Sequence, residues 1–212
     1  MSSADPSLSR LPPPLLLLRT GIRTWWDRWL QWVPLGLAWL LAWLLIIPGP
    51  PVTFGLFHVA NELVAGRTLG FSGLIEGVRL YFVKSWLWML VNIAVTILLL
   101  VNARFYIALF PNWAITIGLI ITSLGLIWFM LQLYALPFLM IQEKKSLWHA
   151  WRNAAVAILA SPGYMLTVWL GMVLIIVPST ITMIPIILGG PGLVAVIACQ
   201  AVRDRIQLFE QE

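Results

Sequence analysis

His58, Asn61 and Glu62 are the residues of this chain whose types and spacing could carry chemistry. Their i, i+3, i+4 spacing places all three on one face of a helix. A neutral imidazole beside a carboxylate can relay a proton, and with the amide it can hold a polar ligand. The segment that carries them, Val52 to Ala65, is otherwise apolar. An ionisable pair inside a membrane is costly, which makes it a functional candidate. The same residues also fit a polar stripe that packs against a bundle, with Glu62 about one turn from a wet end. A metal site is not expected, because two ligand types are too few and the other histidine, His149, falls in a different segment. No cofactor is expected either.

Arg104 is a second candidate, a lone basic residue near the end of an apolar stretch. It can pair with an anionic solute or extend to lipid headgroups. Arg79 and Arg152 occupy comparable places in two amphipathic stretches, and Trp148 and Trp151 flank the second of these. Both stretches can serve a partner protein or a lipid surface. Asn92, Gln132 and Tyr134 lie inside apolar runs and are expected to form interhelical hydrogen bonds. Gly118, Ser123 and Gly125 are expected to allow close helix contact. There is no phosphate-cradling glycine loop, no pair of intramembrane aspartates and no H-E-x-x-H. Cys199 has no histidine partner in sight, so no nucleophilic triad is expected. The chain reads as a non-enzyme.

The elements that position these residues follow from composition. Of 212 residues, 61% are hydrophobic and 10% charged, and the mean hydropathy is +0.93. Soluble domains carry about 25% charged residues. A water-soluble fold of this size could not hide so much apolar surface, so the bilayer must be the solvent. The single cysteine forms no internal disulfide. The net charge of +5 does not indicate nucleic acid, because the basic groups flank apolar runs and suit lipid headgroups.

Apolar runs at about Trp26–Ile47, Val52–Ala65, Ser85–Leu109, Trp113–Ile141, Pro162–Ile187 and Leu193–Val202 predict six membrane segments. Twelve of the thirteen basic residues fall in four patches between them: Arg10 to Arg28, Arg67 to Lys84, Lys144 to Arg152, and Arg203 with Arg205. Cytoplasmic loops collect Lys and Arg, so each patch marks the cytoplasm. Val52–Ala65 would reach only about 21 Å, short of a hydrocarbon core of roughly 30 Å. Unless it returns through the membrane, however, the first two patches lie on opposite faces. The expected fold is all-α and polytopic, with three hairpins, two cytoplasmic amphipathic helices and both termini inside.

Those helices are Phe71–Val83 and Ser146–Leu159, with Ser72 and Ser146 as N-caps. The first places Phe71, Leu74, Ile75, Val78 and Phe82 on one stripe. The second groups Leu147, Trp148, Trp151, Ala155 and Ile158. Nine of the thirteen tryptophans, among them Trp25, Trp32, Trp88 and Trp151, fall near expected span ends, where indole rings favour the interface. Pro178 and Pro185 are expected to kink the fifth segment and Pro137 the fourth. Residues 1–20, with four prolines and a four-leucine run, read as a disordered cytoplasmic arm rather than an export signal. Residues 21–206 form the helical domain and 207–212 a short tail. Ile46–Pro51 and Ile187–Gly192 align without gaps, each before a short apolar segment ending in arginine. The alignment fits a parallel repeat of the first and last hairpins, or turn chemistry common to many membrane proteins.

The order of these features resembles the YesL-like family of bacterial multi-pass membrane proteins, whose molecular function is unknown. The residues that carry the likeness are Ile46-Ile47-Pro48-Gly49-Pro50-Pro51, Thr53-Phe54-Gly55-Leu56-Phe57 and Gly66-Arg67. The Phe71–Phe82 helix follows, then Lys84-Ser85-Trp86, and in the second half Ser146 to Arg152. The likeness spans about residues 25–205; the proline arm and the dense N-terminal tryptophans are not part of it. It implies a bacterial plasma-membrane protein, in some cases associated with carbohydrate uptake, and supplies no catalytic residues.

Three functions fit these readings. One is a non-enzymatic accessory or scaffold subunit, linked to solute uptake and held in a membrane-protein complex or homo-oligomer. The second is a small permease using the His58/Glu62 face. The third is a lipid-surface sensor built on the tryptophans and basic patches. The first is preferred, because polar groups within the spans are sparse.

Overall fold

The computed structural model describes residues 13–182 and 187–209, and every described element is helical. The helices are α1 (Pro13–Trp26), α2 (Trp29–Leu44), α3 (Gly49–Val64), α4 (Phe71–Leu109), α5 (Ala114–Ile141), α6 (Leu147–Ala160), α7 (Pro162–Thr182) and α8 (Gly190–Phe209). A short 3-10 turn, Pro111–Trp113, joins α4 to α5. Two described helices, α4 and Pro111–Ile141, are long and apolar enough to cross a membrane. A third candidate is α6 with α7, which meet at Ser161 with a bend of 111°. Large apolar side chains lie exposed along all of these, as suits a protein whose solvent is lipid.

Four boundaries differ from the sequence expectation. Residues 13–20 are not disordered; they open α1, which packs on α7 and α8. Pro13 and Pro14 sit in its first turn, where a missing N–H costs nothing. Leu18 rests on Gly171, Gly21 rests on Ile197, and Gln200 donates to the Thr24 hydroxyl. Residues 1–12 lie outside the described residues. The first expected span is shorter than Trp26–Ile47, because the chain breaks at Asp27–Arg28 and α2 runs from Trp29 to Leu44. Phe71–Val83 and Ser85–Leu109 form one continuous helix of 39 residues, since nothing between them ends a helix. Residues 207–209 continue α8 rather than starting a tail, and 210–212 lie outside the described residues, as does Pro185.

α3 and α8 form the centre. Cys199 Sγ contacts the Phe57 carbonyl at 3.9 Å, and Arg203 donates to Asn61 Oδ1 at 3.1 Å. Both contacts join residues the same 142 positions apart, so the two helices run parallel and in register. Each also begins at the equivalent residue of the aligned turns, Gly49 and Gly190. At α3, Pro50 and Pro51 remove two donors that burial would leave unbonded, and the Val52 N–H bonds the Pro48 carbonyl.

Close packing comes from glycines other than those the sequence suggested. Gly118 has open space around it, and Gly125 meets only Leu99. Ser123 bonds its own helix, to the Leu119 carbonyl. Among the tight sites are Gly55 against Leu74, Gly77 against Gly55 and His58, and Gly189 with Gly192 against Trp32. Gly189 also has φ +90°, so a side chain there would be strained as well as crowded. Trp32 is 2% exposed and therefore a core residue, not an interface ring. Trp39 and Trp43 both donate to the Thr53 hydroxyl, at 3.0 and 3.1 Å, which closes the α2–α3 hairpin.

Candidate functional site

The face of α3 that carries His58, Asn61 and Glu62 is occupied by its own chain. Asn61 is buried and accepts from Arg203 through both its side chain and its carbonyl. Glu62 pairs with Arg67 at 2.5 Å. His58 lies beside Tyr81, with ring centroids 6.2 Å apart, and its Nε2 is buried with no partner. The imidazole is not bonded to Glu62, so the proton relay open to the sequence is not assembled here. The Lys145 ammonium donates to the Met140 carbonyl. Burial holds it below the usual lysine range; Lys84 nearby adds to this, and Glu62 opposes it. Arg67, Lys84, Lys145 and Arg203 thus belong to three different patches yet gather at the Asn61–Glu62 end of α3.

The remaining sequence candidates separate. Arg79 and Arg152 are exposed on α4 and α6, and Arg104 is exposed near the far end of α4. Trp148 is 70% exposed, whereas Trp151 turns inward. The stripes differ from expectation too. On α4 the packed residues are Gly73, Leu74, Gly77, Tyr81 and Ser85, while Phe71, Ile75 and Phe82 are exposed. On α6 they are Leu147, Ala150, Ala154 and Ala157. Gly70, not Ser72, is the α4 N-cap; Ser146 caps α6 by position but makes no side-chain bond. Among the described residues, no group of three His, Cys, Asp or Glu could hold a metal ion.

The polar cluster with free capacity lies elsewhere, between α4, α5 and α6. Trp151 donates its indole N–H to Gln132 Oε1 at 3.0 Å. Asn92 Nδ2 reaches the same oxygen at 3.5 Å, and Trp128 donates to Asn92 Oδ1 at 3.0 Å. An indole N–H only donates, so Trp151 fixes the amide of Gln132 with its oxygen inward. Gln132 Nε2 is then left without a partner although Gln132 is only 4% exposed, and Trp88 Nε1 is likewise buried and unbonded. Both residues line a cavity of about 810 Å³ bounded by α2, α3, α4, α5 and the start of α8, with Ile176 of α7. The sequence marked Asn92 and Gln132 as hydrogen-bonding residues but assigned Trp88 and Trp151 to the membrane surface. The signal it held was the pairing of Trp88 with Asn92 and of Trp128 with Gln132, each at i, i+4 inside an apolar run.

These features define an all-helical membrane protein with two to three helices fit to cross a bilayer and a partly polar cavity among them. Compared with family models, with curated proteins and with solved structures, the chain finds no match in any of the three.

Proposed function

We propose that this chain is a non-enzymatic accessory or scaffold subunit of a membrane-protein complex. The observation that carries the reading is the α4–α5 hairpin. The most apolar stretch of α4 has no buried residue, and that of α5 almost none. Two spanning helices that rest so little on their own bundle offer long faces to lipid or to the helices of another subunit. The α3 polar face favours this reading over a permease, because Asn61 and Glu62 are committed to Arg203 and Arg67.

The finer topology belongs to the same proposal. Six membrane segments with both termini inside require α3 and α8 to run in the same direction. Their in-register parallel packing and the gathering of three basic patches at one end support that shared direction; α2 does not fit the order as a full span, because Trp25 and Trp32 meet Gly189, at the turn which that order puts on the face opposite Asp27. α1, with Arg19 and Arg23 exposed, joins α6 and the first turns of α4 as surface elements facing anionic headgroups. The resemblance to the YesL-like family supports a bacterial inner-membrane location and an association with solute uptake.

Purification of the tagged full chain in mild detergent from its own membrane, followed by mass spectrometry, tests the proposal. A stoichiometric second membrane protein is expected, lost when Leu98 and Leu119 on the exposed hairpin are replaced by tryptophan. A monomer or homo-oligomer without such a partner would overturn it.

A further inference from the structure

We infer that the cavity beside α4 and α5 holds one acyl chain of a phospholipid whose phosphate meets Arg104. The inference is independent of the accessory reading, since it needs only that the α4–α5 hairpin cross the bilayer. The cavity is long and narrow. Along α4 it runs from Trp88 to Ala103, about 22 Å of helix axis. It opens sideways, because Leu100, Leu126 and Phe129 line it and are 60%, 49% and 40% exposed. In a bilayer that opening faces lipid tails. A helix of the same length, 10–12 Å across, would fill roughly 1,700 Å³ or more, about twice the 810 Å³ present. A tail fits better. The roughly 30 Å hydrocarbon core is two tails thick, so a disordered tail covers about 15 Å and a straightened one reaches further. Left empty, the cavity would deprive its walls of contacts that a tail restores.

The walls suit hydrocarbon and the mouth suits a phosphate. Lining residues include no Lys, Arg, His, Asp or Glu. The Trp39 and Trp43 indoles and the Thr53 and Thr96 hydroxyls donate within the protein. Asn92 Oδ1 and Gln132 Oε1 accept from Trp128 and Trp151. The unbonded Trp88 Nε1 and Gln132 Nε2 are sealed within the wall and do not open into the cavity. Thr122 adds a hydroxyl, but one hydroxyl does not offset the burial of a charged head. The head must therefore stay outside, and Arg104 marks where. Arg104 lies one turn beyond Leu100 on the same face of α4, and Leu100 lines the cavity. Arg104 is exposed, and among the described residues it has no hydrogen-bond or ion-pair partner. It is also the one basic residue between Lys84 and Lys144 in the sequence. Its stem can follow the apolar mouth while the guanidinium reaches the headgroup level. There it can bind a phosphate through two parallel hydrogen bonds.

The test uses the purified full chain in phosphatidylcholine nanodiscs containing a trace of phosphatidylcholine with a photoreactive diazirine halfway along one tail. Crosslinked residues are located by mass spectrometry. Labels are expected at the cavity residues Leu99, Leu126 and Phe129, above those at Leu119 and Ile127, which are exposed but do not line the cavity. Gly125→Leu enters the cavity from a position whose added Cβ meets only Leu99, so it should remove the cavity labels, leave those at Leu119 and Ile127 and keep the fold intact. Arg104→Gln should lower the cavity labels about fivefold, the weight of one basic side chain at a headgroup. Cavity labels no stronger than those at Leu119 and Ile127 would overturn the inference. So would cavity labels unchanged by either substitution. A dimer with an unlabelled cavity would overturn it too, by showing a second copy seated there.

Discussion

Gly77→Leu is expected to lower the stability of the protein in detergent by about 3 kcal/mol, the upper part of the range for overpacking. A Cβ at Gly77 would come within 2.8 Å of both the Gly55 Cα and the His58 Cβ. Neither is the far end of a flexible side chain, so α3 and α4 must move apart as backbones. Gly55 faces the same seam and would meet the Leu74 carbonyl in turn. Membrane helices are held chiefly by such close packing, since lipid supplies no hydrophobic drive between them. Gly118→Leu is the matched control, with nothing near that glycine, and should change stability by less than about 0.5 kcal/mol. Denaturant titration followed by circular dichroism reads both. Equal effects at the two glycines would show that the seam does not hold the helices.

Trp32→Ala is expected to cost a similar amount, about 3 kcal/mol, by emptying the space between α2 and the turn into α8. Trp32 is among the largest fully buried side chains and lies directly on Gly189 and Gly192. Gly192→Val attacks the seam from the other side, because the added atoms collide with the indole ring. If this reading is right, the double variant is less destabilised than the sum of the singles, since valine partly fills the space that tryptophan leaves. Strict additivity would contradict it.

How far the sequence led depended on whether a signal was local. Pro111 and the Gly189-Gly190-Pro191-Gly192 run lie between long apolar runs, so the end of α4 at Leu109 and the start of α8 at Gly190 followed closely from the residues. The Pro48–Pro51 break was equally legible and became the first turn of α3. Pro13 and Pro14 misled, because proline stops a helix only from within, and here they open one. The two parts of α4 were separated by a change in polarity, but polarity does not end a helix, and no proline or cap intervened. Non-local facts could not be read. Whether Gly77 or Gly118 touches another helix depends on what lies opposite it. Trp32, Trp88 and Trp151 have the composition of interface residues, and only the fold turns them inward. Asn92 and Gln132 were visible as polar groups in apolar runs. That they share one oxygen with Trp151, and so leave a donor free, is a property of three helices together.

Topology is the claim from which the rest follows, and thiol labelling tests it directly. The single natural cysteine, Cys199, is fully buried, so the wild-type chain should stay unlabelled by a membrane-impermeant maleimide. Single cysteines are then placed at exposed positions of the turns. Ile47→Cys, Asn112→Cys and Leu188→Cys are predicted to label in intact cells. Thr68→Cys and Lys144→Cys should label only after permeabilisation. Protection of Ile47→Cys together with Thr68→Cys would show that α3 does not cross the membrane, and would contradict the shared direction of α3 and α8.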